Sequence, residues 1–473
     1  MLSFNPHDTI AALATPAGEG GVAVVRISGP LAPSILEKMF RPSRLREGEG
    51  FPPLSSWESH RLYHGRFFNS KNQLLDEGLV VWMKAPRSFT GEEVVEFHLH
   101  GGRLIALRML QALYDHGLRA AFPGEFTQRA FLNGKMDLTQ AEAIADMIAA
   151  QSDRSLELAQ AQWQGQFSGP VSKLRALLLE QLVHVEAAVD FPEEDIEIID
   201  KKSMIPLLDK TIHQVEEWLR DYEWGRMIRE GIAVVFLGKP NAGKSSLLNL
   251  LSREEAAIVH PQPGTTRDAI ERVIHLNGLT LRLVDTAGIR SAEGEVEQIG
   301  IDRSRQWFQK ADLVLALFDT SQPWESDDVE IVKIASNKKT LWILNKDDLP
   351  SQWGDETLFS NMKIREAIPA VVRISAKTGA GLPELEDKIF SLFGIREAQK
   401  GDHLLLNQVR HKNALEKSNA SLKHARWALE EGVSPELVAL DLHAAAHYLG
   451  EIIGEVTTEH ILEDIFTKFC IGK

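Results

Sequence analysis

A chain of 473 residues that is 44% hydrophobic and 25% charged has the make-up of an ordinary globular protein, with room for about three domains. Its net charge of −15 argues against a broad surface for nucleic-acid phosphates, whose affinity comes mainly from lysine and arginine; a local basic patch or a basic partner stays open. No apolar run reaches the roughly 20 residues of a membrane span, Met1 to Asp8 lacks the basic and apolar regions of a signal peptide, and the single Cys470 excludes an intrachain disulfide, so a reducing cytoplasm is the expected setting.

Residues 1–120 mix short apolar runs with glycine turns. Gly21 to Ile27, Glu77 to Met83 and Val94 to Leu99 read as strands and Arg103 to His116 as a helix, which predicts an α+β domain. Gly18-Glu19-Gly20-Gly21 precedes a strand rather than a helix, so a tight turn suits it better than a phosphate loop. His64, His98 and His100 lie along strands without a supporting cysteine or acid cluster and read as structural.

From 121 to 227 the period is helical. Thr139-Gln140-Ala141-Glu142 fits a capping box, and Leu174, Leu177, Leu178, Leu182, Val185 and Val189 form one stripe before the break at Phe191-Pro192. Residues 228–395 alternate strand and helix. Ile232 to Leu237, Leu279 to Val284, Leu313 to Phe318, Leu341 to Leu344 and Ala370 to Ile374 predict a mainly parallel sheet, with Asn277-Gly278 as one antiparallel hairpin turn. Helices return over 396–473, where Ser434-Pro435-Glu436 marks a start. An α/β stretch between two helical ones is the pattern of an insertion, so the flanking helices are expected to pack as one discontinuous helical domain.

The inserted stretch carries the chemistry. Gly238-Lys239-Pro240-Asn241-Ala242-Gly243-Lys244-Ser245 follows a strand and opens the helical run beginning at Ser246, the context that makes G-x-x-x-x-G-K-[ST] a P-loop. Its backbone N–H groups turn onto phosphates at a helix N-terminus, Lys244 reaches the outer phosphates, and Ser245 offers a hydroxyl to Mg²⁺. Asp285-Thr286-Ala287-Gly288 ends an apolar strand, where the aspartate can hold Mg²⁺ through water and the glycine N–H can sense the γ-phosphate. Gly264-Thr265-Thr266-Arg267-Asp268, by itself, reads either as a polar turn or as the loop whose threonine completes the metal shell. In Asn345-Lys346-Asp347-Asp348 the Asp348 carboxylate can accept from guanine N1–H and the exocyclic amine; adenine has no proton at N1 and would leave it unmatched. Ser375-Ala376-Lys377 presents a backbone N–H to the guanine oxygen. Ile289 stands where many small GTPases place the glutamine that orients water, and no arginine finger is marked, Arg267 and Arg290 being adjacent candidates but loop arginines of the kind usually just solvated, so another cation and another water guide are needed.

These motifs, with Glu295-Val296-Glu297-Gln298-Ile299-Gly300 and the terminal Cys470-Ile471-Gly472-Lys473, resemble the tRNA-modification GTPases of the MnmE (TrmE) family over essentially the whole chain. The resemblance implies a potassium ion in the arginine-finger position, held by Asn241 and by the loop around His260, Gln262 and Thr265, with Thr266 as the loop ligand of Mg²⁺ and Glu297 as the catalytic glutamate. It implies that the N-terminal domain binds a 5-formyl- or methylene-tetrahydrofolate through Arg26, Glu96, Lys135 and Lys473, where residue chemistry alone allows a plain ion pair and surface lysines. By itself Cys470 is a lone cysteine with no general base identifiable beside it; the resemblance also implies that it lies near that site, as a reactive or merely packed thiol. It further implies a homodimer and a complex, heterotetrameric or larger, with the FAD-containing MnmG (GidA) that modifies C5 of tRNA wobble uridine. A ribosome-assembly GTPase and a GTP-regulated stand-alone folate-dependent methyltransferase are the competing readings.

Overall fold

The structure is a computed structural model and describes residues 8–43, 53–190, 201–254, 271–276, 278–284, 307–362, 370–393 and 406–473. It divides into two compact units, one of residues 1–148, 162–204 and 420–473, the other of 149–161 and 205–419. The two alternate along the chain, and the long segment 205–419 of the second lies between two segments of the first. The boundaries between the units fall inside the helices Leu138–Ala149, Asp153–Trp163, Lys201–Arg220 and Val409–Glu431.

The first unit is built on a seven-stranded sheet of β1 (Ile10–Leu13), β2 (Val22–Ser28), β3 (Phe40–Pro42), β4 (Leu62–Phe68), β5 (Leu74–Met83), β6 (Val94–His100) and β7 (Arg119–Ala120), in the order β3-β4-β5-β6-β2-β1-β7. Only β1 and β7 pair in parallel. Alternation puts Ala23, Val25 and Ile27 of β2 and Val95, Phe97 and Leu99 of β6 on one face. They pack there against Ile35, Leu36 and Met39 of the helix Ala32–Met39 and Met109 and Leu113 of the helix Arg103–Asp115. His64, His98 and His100 each have a polar neighbour from another residue of the sheet region: His100 Nδ1 lies 2.8 Å from Asp76, His98 Nε2 3.4 Å from Glu96 and His64 Nδ1 3.0 Å from Ser43 Oγ. Gly20, in the turn before β2, donates its N–H to Gly101 O at 2.9 Å.

The helix Leu138–Ala149 corrects one expectation. Its reciprocal cap is formed by Asp137 and Gln140, not by Thr139 and Glu142. Gln140 N–H donates to Asp137 Oδ1 (2.9 Å) and Asp137 N–H to Gln140 Oε1 (3.0 Å). Thr139 lies inside the first turn and donates its hydroxyl to the capping carboxylate at 2.7 Å. An aspartate two residues upstream takes the end because a carboxylate also suits the positive helix terminus. At Ser434 the position is that of a cap, but its hydroxyl bonds the Glu436 side chain rather than a backbone N–H of the helix Pro435–Ile453. That helix packs along Ser168–Asp190, and Arg175 ties the two together through the Ala446 carbonyl (3.2 Å) and Glu455. The last helix, Glu459–Phe466, lies beside Glu125–Leu132.

The second unit holds a six-stranded sheet of β8 (Ile232–Leu237), β9 (Glu271–Leu276), β10 (Leu279–Val284), β11 (Leu313–Asp319), β12 (Thr340–Asn345) and β13 (Val371–Arg373), in the order β13-β12-β11-β8-β10-β9. All pairs are parallel except the β9–β10 hairpin, where Leu276 stands opposite Leu279. Both faces are covered, as the unbroken apolar runs require. Leu313, Leu315 and Leu317 enter one core with Ile232, Val234 and Phe236, while Val314, Ala316 and Phe318 enter the other.

Candidate functional site

The parallel strands β8, β11 and β12 deliver their C-terminal ends to one edge, and each is followed by a polar motif at that edge. After β8, the loop from Gly238 runs into the helix Lys244–Glu254, which is seated by Leu247 and Leu251 in the core beneath β8. Asn241 (φ 62°) and Gly243 (φ 101°) both adopt left-handed backbone, which curls the loop so that its N–H groups can face inward. Glycine is required at 243, because a Cβ there would stand 2.0 Å from Asn345 Nδ2. Lys244, only 8% exposed, donates from Nζ to the carbonyls of Gly238 and Lys239, each at 2.7 Å. Its ammonium is therefore stretched along the loop. Ser245 and Ser246 are exposed at the start of the same helix.

Asn345, at the end of β12, joins three motifs. Its Nδ2 donates to Ala242 O at 2.7 Å, and its Oδ1 accepts from the Ala376 N–H at 3.0 Å. The phosphate loop and the Ser375-Ala376-Lys377 loop are thereby fixed relative to each other by one buried amide. Ser375 Oγ donates to Asp348 Oδ1 at 2.7 Å and so sets the plane of that carboxylate. Lys346, with φ 66°, pairs with Asp319 Oδ2 at 2.6 Å. Burial pushes the Asp319 carboxyl up, but Lys346 and the hydroxyl and N–H of Ser321 outweigh it, and the group sits below its ordinary value. Asn241, Ala242, Gly243, Lys244, Ser245, Asn345, Asp348, Ser375 and Ala376 thus belong to one connected edge. His260, Gln262, Thr265, Thr266, Asp285, Thr286, Ala287, Gly288 and Glu297 lie outside the described residues.

A second cluster is formed within the first unit. Arg26 on β2 and Glu96 on β6 are in register, and Arg26 Nε lies 2.7 Å from Glu96 Oε1. The guanidinium sits 5.7 Å from the ring centres of both Phe89 and Phe126. Burial raises the Glu96 carboxyl, yet His98 and Arg26 together hold it below its ordinary value. The chain end comes to the same place. Phe126 N–H donates to Lys473 O at 3.2 Å and Gly124 N–H reaches Cys470 O at 3.5 Å. Gly472 (φ 97°) passes so close to β1 that a Cβ would lie 2.3 Å from Leu13 O. Cys470 is exposed. Lys135 donates from Nζ to Pro86 O at 3.0 Å, on the loop that carries Phe89. Beneath this cluster, Arg129 and Glu125 are buried and pair at 3.0 Å, with Asp8, Glu92 and Arg119 completing the network.

A family model described as the MnmE helical domain matches residues 138–470, and one described as the GTP-binding protein TrmE N-terminus matches residues 9–135. The chain belongs to the MnmE family. Among relatives named tRNA modification GTPase MnmE, that of Natranaerobius thermophilus is 42% identical over 468 residues, covering 99% of this chain and 100% of the relative. That of Heliobacterium modesticaldum is 44% identical over 474 residues, covering 98% and 99%. Among solved structures, the G domain of the T. maritima FeoB iron transporter is 28% identical and covers 34% of this chain and 98% of its own, with a TM-score of 0.26. Aquifex aeolicus Era is 27% identical over 40% and 65%, with a TM-score of 0.27. This MnmE-family protein is a GTP hydrolase.

Three features of the MnmE-family site had no signal in the sequence. Phe89 and Phe126, which flank Arg26, come from loops and helices whose meeting depends on packing. Asp319 pairs with Lys346 only because β11 and β12 are neighbours in register. Lys239 of the phosphate loop pairs with Asp328, 89 residues further on.

Proposed function

We propose that this chain is a potassium-dependent GTPase that, with the FAD-containing partner MnmG, takes part in (carboxymethyl)aminomethyl modification at C5 of the wobble uridine of tRNA. The observation that carries the reading is the Asn345 bridge between the phosphate loop and the Ser375–Lys377 loop, with Asp348 oriented beside it. A base read by Asp348 and the Ala376 region would have its phosphates led onto the Gly238–Ser245 loop. Asp348 would accept from the two guanine donors, and Lys346 would keep its own charge neutralised against Asp319, leaving Asp348 as the carboxylate that discriminates.

The hydrolytic residues follow from the same loop. Lys244 would draw the β- and γ-phosphate oxygens, and Ser245 with Thr266 would hold Mg²⁺, with Asp285 acting through water. The exposed Ser245 hydroxyl at a helix start suits that ion. Asn241, held in left-handed backbone, exposes its amide at the loop crest, where with His260, Gln262 and Thr265 it would hold K⁺. Bound there, the two cations supply positive charge against the charge that develops during phosphoryl transfer. Glu297 would orient the attacking water. With Ile289 in place of a glutamine, no side chain at that position can do so.

In the N-terminal unit the Arg26–Glu96 pair between two phenylalanine rings suits a tetrahydrofolate. A flat ring system needs aromatic walls, its guanidine-like edge needs a carboxylate, and its own carboxylates need cations such as Lys135 and Lys473. The methylene- or 5-formyl-tetrahydrofolate would serve as the one-carbon carrier, while GTP hydrolysis drives the conformational cycle. The protein would act as a homodimer within a larger assembly with MnmG, in the cytoplasm; none of the described helices is long and apolar enough to cross a membrane. Steady-state GTP hydrolysis in K⁺ and in Na⁺ tests the cation assignment: faster turnover in K⁺ is expected, and equal rates reject the role of Asn241. Mass spectrometry of wobble uridines from cells with and without the gene tests the modification.

A further inference from the structure

We propose that Lys239 is a positioning residue for binding the outer phosphates of GTP, clipped by its side chain to a buried helix terminus so that its backbone carbonyl holds the Lys244 ammonium in place. The inference rests on the reading of Gly238–Ser245 as the triphosphate cradle. Lys239 is tied at both ends. Its Nζ lies 2.7 Å from Asp328 Oδ2 and 3.1 Å from Glu325 Oε2, and its carbonyl accepts from Lys244 Nζ at 2.7 Å. The ammonium of Lys239 is therefore committed to the start of the helix Ser326–Ala335 rather than to a phosphate.

That anchor is firmer than an ordinary surface pair. Asp328 is only 2% exposed and its Oδ2 also accepts the Glu325 N–H at 2.9 Å, as one half of a capping box. A carboxylate so fixed at a helix N-terminus is favoured there and cannot follow a wandering lysine. Exposed ion pairs contribute little because both partners move and water screens them; here one partner is dry and bonded. Removing Lys239 would leave the Asp328 charge buried without its cation. The same removal would free the segment whose carbonyl steers Lys244.

The test uses the full chain and compares Lys239→Met, which keeps the aliphatic stem, with Lys239→Arg and Lys244→Ala, measuring affinities for GTP, GDP and GMP by fluorescence titration. Lys239→Met is expected to weaken GTP binding roughly tenfold, the loss of about one charge-assisted hydrogen bond. GMP, which has no outer phosphate for Lys244, should be affected little, and Lys239→Arg should recover most of the GTP affinity. A loss of GMP and GTP affinity by the same factor marks general loosening of the fold and overturns the proposal. So does wild-type GTP affinity in Lys239→Met when Lys244→Ala has lost the nucleotide. If Lys244→Ala itself binds GTP as the wild type does, the cradle reading falls, and the clip falls with it.

Discussion

Asn345→Ala should separate the two halves of the nucleotide edge while leaving the Asp348 carboxylate in place. The side chain makes two hydrogen bonds, to Ala242 O at 2.7 Å and from Ala376 N–H at 3.0 Å. Truncation leaves both backbone groups behind, at residues that are 2% and 9% exposed. An abandoned buried polar group costs about 1–3 kcal/mol, so the pair costs about 2–6 kcal/mol if the space stays dry. Water can reach the Ala376 side more readily, which brings the expected loss to about 2–4 kcal/mol. Since tenfold in affinity corresponds to about 1.4 kcal/mol, even half of that loss appearing in binding would weaken GTP by roughly fivefold to thirtyfold. Denaturant unfolding read by a probe in the inserted unit, together with GTP titration, measures both parts. Asn345→Asp should behave at least as badly, because a carboxylate cannot donate to Ala242 O. If either variant kept wild-type unfolding and wild-type GTP affinity, the bridge would hold nothing together and the reasoning would be refuted.

Other perturbations probe separate parts of the molecule. Glu297→Ala should bind GTP normally and lose turnover by about 10²-fold or more, the usual scale for a general base or water-orienting group; single-turnover hydrolysis at the wild-type rate would remove it from the chemistry. The depressed Glu96 carboxyl means that the folded first unit binds fewer protons there than the unfolded chain. Its stabilising contribution is therefore complete above the ordinary value of 4.5 and is lost as pH falls through the lower, folded value. Urea midpoints measured across that range should fall more steeply for the wild type than for Arg26→Met, and parallel curves would exclude the pair as a source of the dependence. Gly472→Ala should cost about 1–3 kcal/mol locally, from left-handed strain and the clash with Leu13 O. Hydrogen exchange at the Phe126 amide, which donates to Lys473 O, should accelerate accordingly; unchanged protection would show that the tail is not held there.

Much of the architecture could be read before any coordinates. The strands β8, β10, β11, β12 and β13 stand on the continuous apolar runs of the inserted stretch, and the strands that flank the Asn277-Gly278 turn pair antiparallel, with Asn277 itself outside the described residues. The phosphate loop was legible because its constraints are local: a glycine in left-handed backbone and a helix that begins at the following lysine. The helix cap at Asp137 was misplaced for a related reason. Two overlapping cap patterns lie within six residues, and the first turn closes on the carboxylate rather than on the hydroxyl that donates to it. The partners of Lys239 and Lys346, and the phenylalanine rings beside Arg26, were not legible, since nothing near them in the chain names the groups they meet; the Arg26–Glu96 ion pair was.

Taken alone, the residue order determined which backbone segments turn, start helices or run as buried strands, because those outcomes follow from sterics and hydrogen bonding within a few residues. It also determined the chemical type of each motif: cationic loop, amide and carboxylate. Only the packed structure decided which of these groups touch. The strand order β12-β11-β8 sets Asn345 against Ala242, the meeting of Glu125–Leu132 with Glu459–Phe466 brings the chain end to Phe126, and the burial of Asp328 gives Lys239 a fixed anchor. Ion pairs and buried hydrogen bonds act over a few ångströms, and distances on that scale between remote residues exist only once the core has formed.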